Sequence, residues 1–194
     1  TKEIFDVVED VLVNQVGKEV AATLCKAGIK AQAMSARTLP TVIASRRKGL
    51  IDGTPADLGY VGEVESVNPS YLLQLLAQGV VPVVAPVSSD VDLKTGLNVN
   101  ADFAASAIAA SLKASSLIVM TDVVGIYRNW PDQNSLIEDI SANDLEALSY
   151  SNINLQINEI DCSKNFFLVN QTKNNKYIFV FVLEEFSNKL FNTY

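Results

Sequence analysis

The sequence predicts an α/β fold in which parallel strands alternate with helices. Two observations lead to this class. Between residues 68 and 123, helical segments alternate with apolar, strand-like segments, as expected of βαβ units with right-handed crossovers. Within that region, residues 80–88 (VVPVVAPVS) form a continuous apolar run of the kind that is buried on both faces of a parallel sheet. We therefore expect one α/β domain over residues 1–150, followed by a tail of different composition.

The first long element is an amphipathic helix. Residues 3–27 place apolar side chains three or four positions apart, which brings them onto one helix face, and Gly28 follows where a left-handed C-cap belongs. Short strands are predicted at residues 29–35 and 41–45. Residues 57–67 alternate weakly in polarity, and their two glycines indicate a close backbone approach or a bulge, with a simple glycine-bearing hairpin as the alternative.

The middle of the chain contains a short helix with clear boundaries. Residues 68–79 begin with Asn68 at the N-cap position and Pro69 at the first helical position, and they end at Gly79. A loop or hairpin turn is expected over residues 89–96.

Three further elements follow that turn. An alanine-rich helix is predicted over residues 101–114 and an apolar strand over residues 116–123. Ser141 and Asp144 have the spacing of a capping box, which predicts a helix through about Leu148.

Composition and charge exclude several classes of function. The 194 residues are 48% apolar and carry a net charge of −7, which fits a globular domain and argues against nucleic acid as the main partner. The chain contains no histidine, so histidine triads, histidine general bases and histidine-containing metal sites are excluded. The apolar runs are too short for a membrane helix, and we expect no membrane partner.

The cysteines and the start of the chain indicate a compartment. Cys25 and Cys162 lie far apart without metal-ligand spacing, which fits a reducing cytoplasm, and no protein-held metal is expected. No basic, apolar leader precedes Thr1, so we expect no secretion signal. Because residue 1 is not methionine, we also expect the start to be truncated.

Residues 151–194 form the tail of different composition. They contain no Gly, Ala, Pro or Arg, hold six of the eight phenylalanines, and carry four acidic and four basic side chains. Within the tail, residues 173–186 are expected to form a turn and a strand. The bias towards residues with AT-rich codons indicates a frameshifted or non-homologous segment, and an aromatic-rich sheet edge is the alternative.

Three polar residues at alternate positions precede the alanine-rich helix: Asn98, Asn100 and Asp102. In an extended backbone they share one face. Their amide and carboxylate groups suit a substrate that carries an amide and carboxylates. On spacing alone, ordinary N-capping is the favoured interpretation and ligand binding is the alternative.

A second candidate site follows the strand at residues 116–123. Asp122 and Gly125 interrupt the apolar run within TDVVGIY (121–127), and ligands of open α/β sheets bind beyond the carboxyl ends of strands. A simple exit from a strand into a loop is the alternative.

Taken in order, four segments resemble the acetylglutamate kinases of the amino acid kinase family. They are DLGYVGEVESVNP (57–69), GVVPVVAPVSSD (79–90), LNVNADFAASAIAASLKASSLIVMTDVVGIY (97–127) and SLIEDIS (135–141). In addition, FDVVEDVLVNQVGKEV (5–20) is similar to the helix between the two substrate loops of that family. The resemblance covers roughly residues 1–149.

The resemblance implies a three-layer αβα sandwich with a mostly parallel central sheet, incomplete at both ends. It implies transfer of the γ-phosphoryl group of ATP, with Mg²⁺ carried by the nucleotide, to the side-chain carboxylate of N-acetyl-L-glutamate, a step of arginine biosynthesis. By position, Asn98 and Asn100 bind the substrate and Asp102 is the catalytic residue that organises phosphate-binding lysines. A cytoplasmic homo-oligomer is also implied. The implied nucleotide-site residues are Asp122, Val123, Val124, Gly125, Ile126 and Tyr127.

The sequence departs from the family pattern where phosphate is held. It contains neither the Lys-x-Gly-Gly strand nor the His-Gly-Gly-Gly-Pro loop, and the substrate-binding arginine expected before residue 3 is missing. No Ser-Gly-Gly-Met-x-Pro-Lys segment follows Ser149. In addition, MSARTLP (34–40) stands where the family has a glycine-rich loop. Because phosphoryl transfer depends on positioned charges, we expect no turnover from this chain alone. The alternatives are a catalytically inactive binding or regulatory module, a kinase for a related substrate such as an aminoadipate derivative, and a pseudogene-like product.

Overall fold

The fold is taken from a computed structural model that describes residues 1–49, 54–114, 116–120, 126–129, 131–141, 144, 166–171 and 176–181. The helices are α1 (Lys2–Glu9), a π-helix (Asp10–Val16), α2 (Gly17–Lys26), α3 (Ser70–Ala77), α4 (Ala101–Ser111) and a 3-10 turn (Gln133–Ser135). The strands are β1 (Ala31–Ser35), β2 (Val42–Arg46), β3 (Val61–Val67), β4 (Val81–Ala85), β5 (Val87–Asp90), β6 (Gly96–Val99), β7 (Ser116–Met120), β8 (Ile126–Tyr127), β9 (Leu136–Ile137), β10 (Phe166–Gln171) and β11 (Lys176–Phe181). None of the helices in these ranges has the length and apolar character needed to cross a bilayer.

Five strands form the central sheet in the order β1-β4-β11-β10-β7. Strand β4 is parallel to both β1 and β11, whereas β10 is antiparallel to both β11 and β7. All strands of this sheet except β10 therefore run in one direction. The predicted α/β class with a mostly parallel central sheet is confirmed.

Helices cover both faces of this sheet, because successive side chains of a strand point to opposite faces. On one face, Ala33 of β1 lies against α2, where a Cβ built on Gly17 would be 3.6 Å from the Ala33 Cβ. On the other face, Met34 belongs to a buried core with Leu72 of α3 and Ile108 of α4. The described layers are helix, sheet and helix, in agreement with the predicted sandwich.

Four shorter strands close into a small barrel in the order β2-β3-β6-β5. The antiparallel pairs β2–β3 and β5–β6 are joined by short parallel pairings of β2 with β5 and of β3 with β6. A Cβ on Gly62 would lie 2.9 Å from the Leu97 Cβ and 3.1 Å from the Ala44 Cβ. This is the close backbone approach that the glycines of residues 57–67 indicate. A register irregularity also lies in this segment, because Ile43 faces Ser66 and Ala44 faces Val64, which leaves Glu65 of β3 as the extra residue.

The first helix departs from the uniform α-helix that its spacing predicts. The chain is helical from Lys2 to Lys26, but its middle, Asp10–Val16, takes the wider π winding. A π turn places more residues in each turn, so an apolar stripe at α-helical spacing does not stay on one face across it. Within α1, before the π turn, Phe5 is buried, whereas Ile4 and Val7 are 46% and 47% exposed.

Both predicted glycine C-caps are confirmed. Gly28 and Gly79 adopt φ values of +85° and +71°, in the left-handed region that glycine occupies without strain. After Gly79, the Val80 N–H donates to the Leu75 carbonyl at 3.0 Å, which is the longer hydrogen bond of a Schellman motif. These caps end α2 and α3 and return the chain directly to the sheet.

Polar side chains hydrogen-bond at the starts of both predicted helices, although the first helix begins one residue later than predicted. Helix α3 begins at Ser70 with Pro69 as its N-cap, and the Asn68 Oδ1 accepts the Ser70 N–H at 3.1 Å. The Ser141 Oγ accepts the Asp144 N–H at 3.1 Å and donates to the Asp144 carboxylate at 2.6 Å. The remainder of the helix predicted after Ser141 lies outside the described residues.

The single strand predicted over residues 80–88 is wrong in one respect, because the structure divides it. β4 ends at Ala85, Pro86 follows, and β5 begins at Val87 in the barrel. Proline has no N–H to donate to a strand ladder, so the residue between the two strands is the natural place for the chain to leave the central sheet. Every residue of β4 is buried, as predicted for a strand of a parallel sheet.

Two strands from the tail lie inside the central sheet. β10 and β11 pair with each other along their length and separate β4 from β7. The strand predicted within residues 173–186 is confirmed as β11, and the turn before it lies outside the described residues. The hairpin is thus interior and not at an edge of the sheet. The frameshifted or non-homologous origin of residues 151–194 stays a prediction.

Substitution of Gly79 tests the left-handed C-cap. Gly79→Ala should lower the free energy of unfolding by about 1 kcal/mol, because a Cβ is strained at this φ although no heavy atom lies within 4 Å of its position. Chemical denaturation measures the change. Gly79→Asn is the matched control and should lose less stability than Gly79→Ala, since asparagine tolerates the left-handed region better than alanine does. Equal stability of Gly79→Ala and the unsubstituted protein would contradict the assignment.

Candidate functional site

The carboxyl ends of β1 and β4 meet the β5–β6 hairpin. Ser35, the last residue of β1, donates its hydroxyl to the Val87 carbonyl at 2.8 Å. The Val99 N–H donates to the Pro86 carbonyl, directly after β4, at 3.1 Å. The hairpin therefore lies against the sheet edge at which open α/β folds bind their ligands.

The alternating polar residues of the sequence take three different structural positions next to this edge. Asn98 lies in β6, between β3 and β5, and its N–H donates to the Tyr60 carbonyl at 2.8 Å. Asn100 is the N-cap of α4, and Asp102 lies half-buried in the first turn of that helix. The backbone is extended only as far as Asn100, so the three side chains do not share the single face that an extended run would give them.

The capping interpretation is confirmed for Asn100. Its Oδ1 accepts the Asp102 N–H at 2.9 Å and the Phe103 N–H at 3.2 Å. These hydrogen bonds fix the start of α4 and with it the position of Asp102, whose carboxylate stands at the positive end of the helix dipole. Substrate binding by Asn98 and Asn100 and a catalytic role for Asp102 stay predictions.

Helix α1 packs tightly on the β5–β6 hairpin. Phe5 is 5% exposed and stacks on Tyr60 with ring centroids 5.3 Å apart and an interplanar angle of 24°. A Cβ on Gly96, the first residue of β6, would lie 2.7 Å from Cε1 of Phe5, still closer to its Cζ, and 2.9 Å from Nη1 of Arg37. Glycine is thus required at the start of the strand that leads to the polar residues.

An ion pair reinforces this packing. Nη1 of Arg37 donates to both carboxylate oxygens of Glu9 at 2.8 Å, and each side chain is 28% exposed. Nη2 of Arg37 also reaches the Lys94 carbonyl in the β5–β6 turn at 3.5 Å. Arg37 belongs to residues 34–40, where the sequence departs from the glycine-rich loop of the resembling family. The departure therefore introduces a side chain that joins α1 to the hairpin.

Arg46 holds the other side of the same aromatic cluster. Its guanidinium carbon lies 4.6 Å from the centroid of the Tyr60 ring, and Nη1 donates to the Gly59 carbonyl at 3.0 Å. Its Nε is 3.7 Å from a carboxylate oxygen of Asp90 at the end of β5. Arg46 thus connects the β2–β3 hairpin to the β5–β6 hairpin.

The turn between β5 and β6 is organised by Asp92. Its Oδ1 accepts the N–H groups of Lys94 at 2.8 Å and Thr95 at 3.0 Å. The hydrogen bonds from the Thr95 and Lys94 backbone N–H groups hold the pKa of Asp92 below its ordinary value. The turn therefore carries a local, pH-dependent restraint.

A cleft of about 690 Å³ opens between β3 and α4. The pairing of β6 with β3 ends at Gly62 and Val99, and Asn100 then turns the chain into α4, so the helix diverges from β3. The walls of the cleft are partly apolar, with Phe103 66% exposed. The lining residues are Arg47, Val61, Gly62, Glu63, Val64, Glu65, Ser66, Val67, Asn100, Phe103, Ala107 and Ser111.

Two of the residues that line the cleft were not identified from the sequence. Among the predicted substrate residues, Asn100 lines it, whereas Asn98 and Asp102 do not. Arg47 and Phe103 were not predicted as site residues. The signal for Phe103 was available, because Asn100, Phe103, Ala107 and Ser111 follow the three-to-four-residue spacing of one helix face.

The predicted nucleotide site is described only at its end. Residues 122–125 lie outside the described residues. Ile126 and Tyr127 form β8, which pairs antiparallel with β9. Within the described ranges, no group of three or more acidic or cysteine side chains is placed to hold a metal ion. The nucleotide-binding role of residues 122–127 stays a prediction.

Parallel strands covered by helices on both faces, with polar residues beside the carboxyl edge, define an α/β sandwich protein. The profile of the amino acid kinase family matches residues 1–160, and the chain belongs to that family.

Within the family, the chain is similar in sequence to curated acetylglutamate kinases. The chain is 44% identical over 154 residues to the acetylglutamate kinase of Kineococcus radiotolerans, covering 76% of this chain and 51% of that protein. It is 42% identical over 148 residues to the acetylglutamate kinase of Salinispora tropica, covering 76% and 50%. The chain thus spans about half the length of the curated relatives it matches.

A solved structure shares the fold. The crystal structure of smu.665 from Streptococcus mutans UA159 matches with a TM-score of 0.55 and 30% sequence identity. The match covers 66% of this chain and 50% of that one.

Substitution of Gly96 tests the packing of α1 on β6. Gly96→Ala should lower the free energy of unfolding by about 1–3 kcal/mol, because the added methyl overpacks against the buried Phe5 ring. Denaturation of Gly96→Ala, Phe5→Leu and the double variant measures the coupling between the two positions. The double variant should recover part of the loss. Strictly additive losses would contradict a direct contact.

The pH dependence of stability tests the Asp92 turn. Since its pKa is lowered in the folded protein, the ionised carboxylate stabilises the fold above its ordinary pKa. That contribution is lost as the pH falls towards the folded-state pKa. Asp92→Asn keeps an acceptor oxygen but does not titrate, so its melting temperature should fall less steeply with acidification. Thermal melts across the acidic range measure this, and parallel curves for the two proteins would exclude the effect.

Proposed function

We propose that the protein acts in the phosphorylation of N-acetyl-L-glutamate, in which the γ-phosphoryl group of ATP is transferred to the side-chain carboxylate of the substrate. The identity of 44% with an acetylglutamate kinase, over 76% of this chain, supports the assignment. The observation that carries it is the run from Asn98 to Asp102 beside the carboxyl edge of a parallel sheet.

The chemistry of this run suits an acylated amino acid. Amide side chains present both donors and acceptors, so Asn98 and Asn100 match a ligand with an acetamido group and carboxylates. Asn100 uses its side-chain oxygen to cap α4, which fixes its place beside the start of that helix. In this proposal the two asparagines bind and orient the acyl acceptor.

Asp102 is proposed to act through positioning. Phosphoryl transfer requires little covalent chemistry from the protein and depends on orientation and on neutralising the charge of the transferred group. A carboxylate fixed in the first turn of α4 can hold cationic side chains in place around that group. ATP with its Mg²⁺ is the proposed co-substrate, and residues 122–127 are proposed to contact it. A cytoplasmic homo-oligomer is proposed by analogy with the resembling family.

A binding or regulatory module is the second candidate. It is favoured by the composition of the cleft between β3 and α4, since among the described residues that line it Arg47 is the basic one and none is a lysine. Such a module would bind N-acetyl-L-glutamate without transferring phosphate. A turnover measurement separates it from the kinase.

Calorimetric titration tests the proposed substrate. The purified protein should bind N-acetyl-L-glutamate, and Asn98→Ala should weaken the Kd by about tenfold through loss of a hydrogen bond to a charged group. Asn134→Ala, an exposed asparagine in the 3-10 turn, is the matched control and should bind as the unsubstituted protein does. Failure of the unsubstituted protein to bind N-acetyl-L-glutamate would refute the proposal.

An assay of ADP release, with ATP and N-acetyl-L-glutamate, then distinguishes the two candidates. The missing phosphate-binding motifs predict no turnover from this chain alone. Turnover that is lost in Asp102→Asn while N-acetyl-L-glutamate binding persists would contradict that expectation and support the kinase. Binding without turnover in the unsubstituted protein supports the module.

A further inference from the structure

The wall that β3 contributes to the cleft is the edge of a strand. All seven residues of β3, from Val61 to Val67, line the cleft. Successive side chains of a strand point to opposite faces, so a wall made by one face of β3 would include only every second residue. The cleft therefore runs along the edge of β3, where the backbone N–H and C=O groups of a strand lie.

This edge of β3 has a strand partner at one end only. On the cleft side, β6 pairs with Val61 and Gly62 and then gives way to α4. The ladder with β2 extends from Gly62 to Val67 on the other side. Among the strands that the structure describes, none pairs with residues 63–67 on the cleft side. An unpaired strand edge is a template for another extended chain.

Two hydrogen bonds show which backbone groups of β3 face the cleft. The Tyr60 carbonyl accepts the Asn98 N–H of β6 at 2.8 Å. The Val61 carbonyl accepts instead the N–H of Arg47, which directly follows β2, at 2.9 Å. Because the backbone groups of successive strand residues point to alternate edges, those of Val64 are directed to the same side as the Tyr60 carbonyl. Beyond the end of the β6 pairing, that side is the cleft.

The two walls beside this edge differ in their chemistry. On β3, Glu63 lies opposite Ser45 in the ladder, and the Glu65 carboxylate accepts the Ser45 hydroxyl, so both carboxylates lie on one face. On α4, the cleft is lined by Ala107 and by Phe103, which is 66% exposed. An extended peptide with basic side chains on one face and apolar side chains on the other complements both walls.

The acidic wall keeps a carboxylate for a basic partner. Arg47 lies with its Nε 3.3 Å from a carboxylate oxygen of Glu63 and so neutralises that residue in part. Glu65 takes part in none of the ion pairs within the described residues. Its hydrogen bond with the Ser45 hydroxyl orients the carboxylate without neutralising it. A lysine or arginine of an added strand is the group that supplies the missing charge.

The same charges argue against a second copy of this chain on the edge. A symmetric, antiparallel pairing of two β3 strands about Val64 would place Glu63 of each copy opposite Glu65 of the other. Like charges directly opposite each other destabilise a strand pair. The edge is therefore matched to a strand of different sequence.

We propose that β3 binds an extended peptide of a partner protein as an added strand in the cleft between β3 and α4, and that this peptide alternates basic and apolar side chains. The backbone groups of Val64 hydrogen-bond to the peptide backbone. The basic side chains face Glu65, and the apolar side chains cover Phe103. The inference goes beyond the proposed function and does not depend on it, because neither Asn98 nor Asp102 lines the cleft.

Fluorescence anisotropy with a labelled peptide of the sequence Thr-Lys-Val-Lys-Val-Lys-Thr tests the added strand. The unsubstituted protein should bind this peptide. Two further peptides carry N-methyl groups on both valines or on two of the lysines. Since N–H groups at alternate positions point to opposite edges of the peptide, one methylated peptide should bind about tenfold more weakly and the other should keep its affinity. A peptide with glutamate in place of each lysine should also bind more weakly than the parent peptide.

Variants of the protein test where the peptide binds. Phe103→Ser should weaken the Kd of the lysine peptide by about tenfold, because it removes the apolar surface that the peptide covers. Glu65→Gln should weaken it by a smaller factor, since glutamine keeps an acceptor for Ser45 but loses the charge. Leu73→Ser is the matched control, because Leu73 is 38% exposed on α3 and does not line the cleft. Circular dichroism melts establish that folded proteins are compared.

Each remaining outcome would overturn the inference. Absence of binding of the lysine peptide would do so, as would an equal effect of the two methylation patterns, since side-chain binding does not distinguish the edges of a peptide. Equal losses in Phe103→Ser and Leu73→Ser would place the peptide elsewhere. Sedimentation that shows a dimer which the peptide dissociates would assign the edge to a second copy. None of these results bears on the binding of N-acetyl-L-glutamate, which the titration of the proposed substrate measures separately.

Discussion

The close packing of Phe5 on Gly96 is the contact on which the arrangement of the candidate site depends. It brings α1 against the first residue of β6, and β6 leads directly to Asn98 and to the helix cap at Asn100. The Arg37–Glu9 ion pair and the stacking of Phe5 on Tyr60 surround this contact. A side chain at position 96 would force α1 away from the hairpin, because the ring beneath it is buried and already stacked.

The second constraint is the place where β6 stops pairing with β3. After Gly62 and Val99 the two segments diverge, since the capped α4 cannot continue a strand ladder. This divergence creates the cleft and lines one wall with strand residues and the other with a single face of α4. The hydrogen bonds that cap the helix therefore also define the opening of the cleft, so a structural role and a binding role coincide at Asn100.

The elements that could be predicted from the sequence are those set by short-range interactions. The caps at Gly28 and Gly79 depend on residues within one helical turn, and each is found where the sequence indicates it. The π winding and the division of the strand at Pro86 could not be predicted in the same way. The division at Pro86 depends on how the chain packs against segments far away in the sequence, in the barrel that β5 joins.

By itself the sequence determined the α/β class, the ends of its helices and the polar run from Asn98 to Asp102, because side-chain periodicity and local hydrogen bonding express these directly. Only the tertiary structure decided which of these polar residues line a common space, and that Arg47 and not Arg46 reaches it. Those outcomes follow from strand pairing over long sequence distances, which sets the face on which each side chain lies. Spacing along the chain carries no information about that pairing.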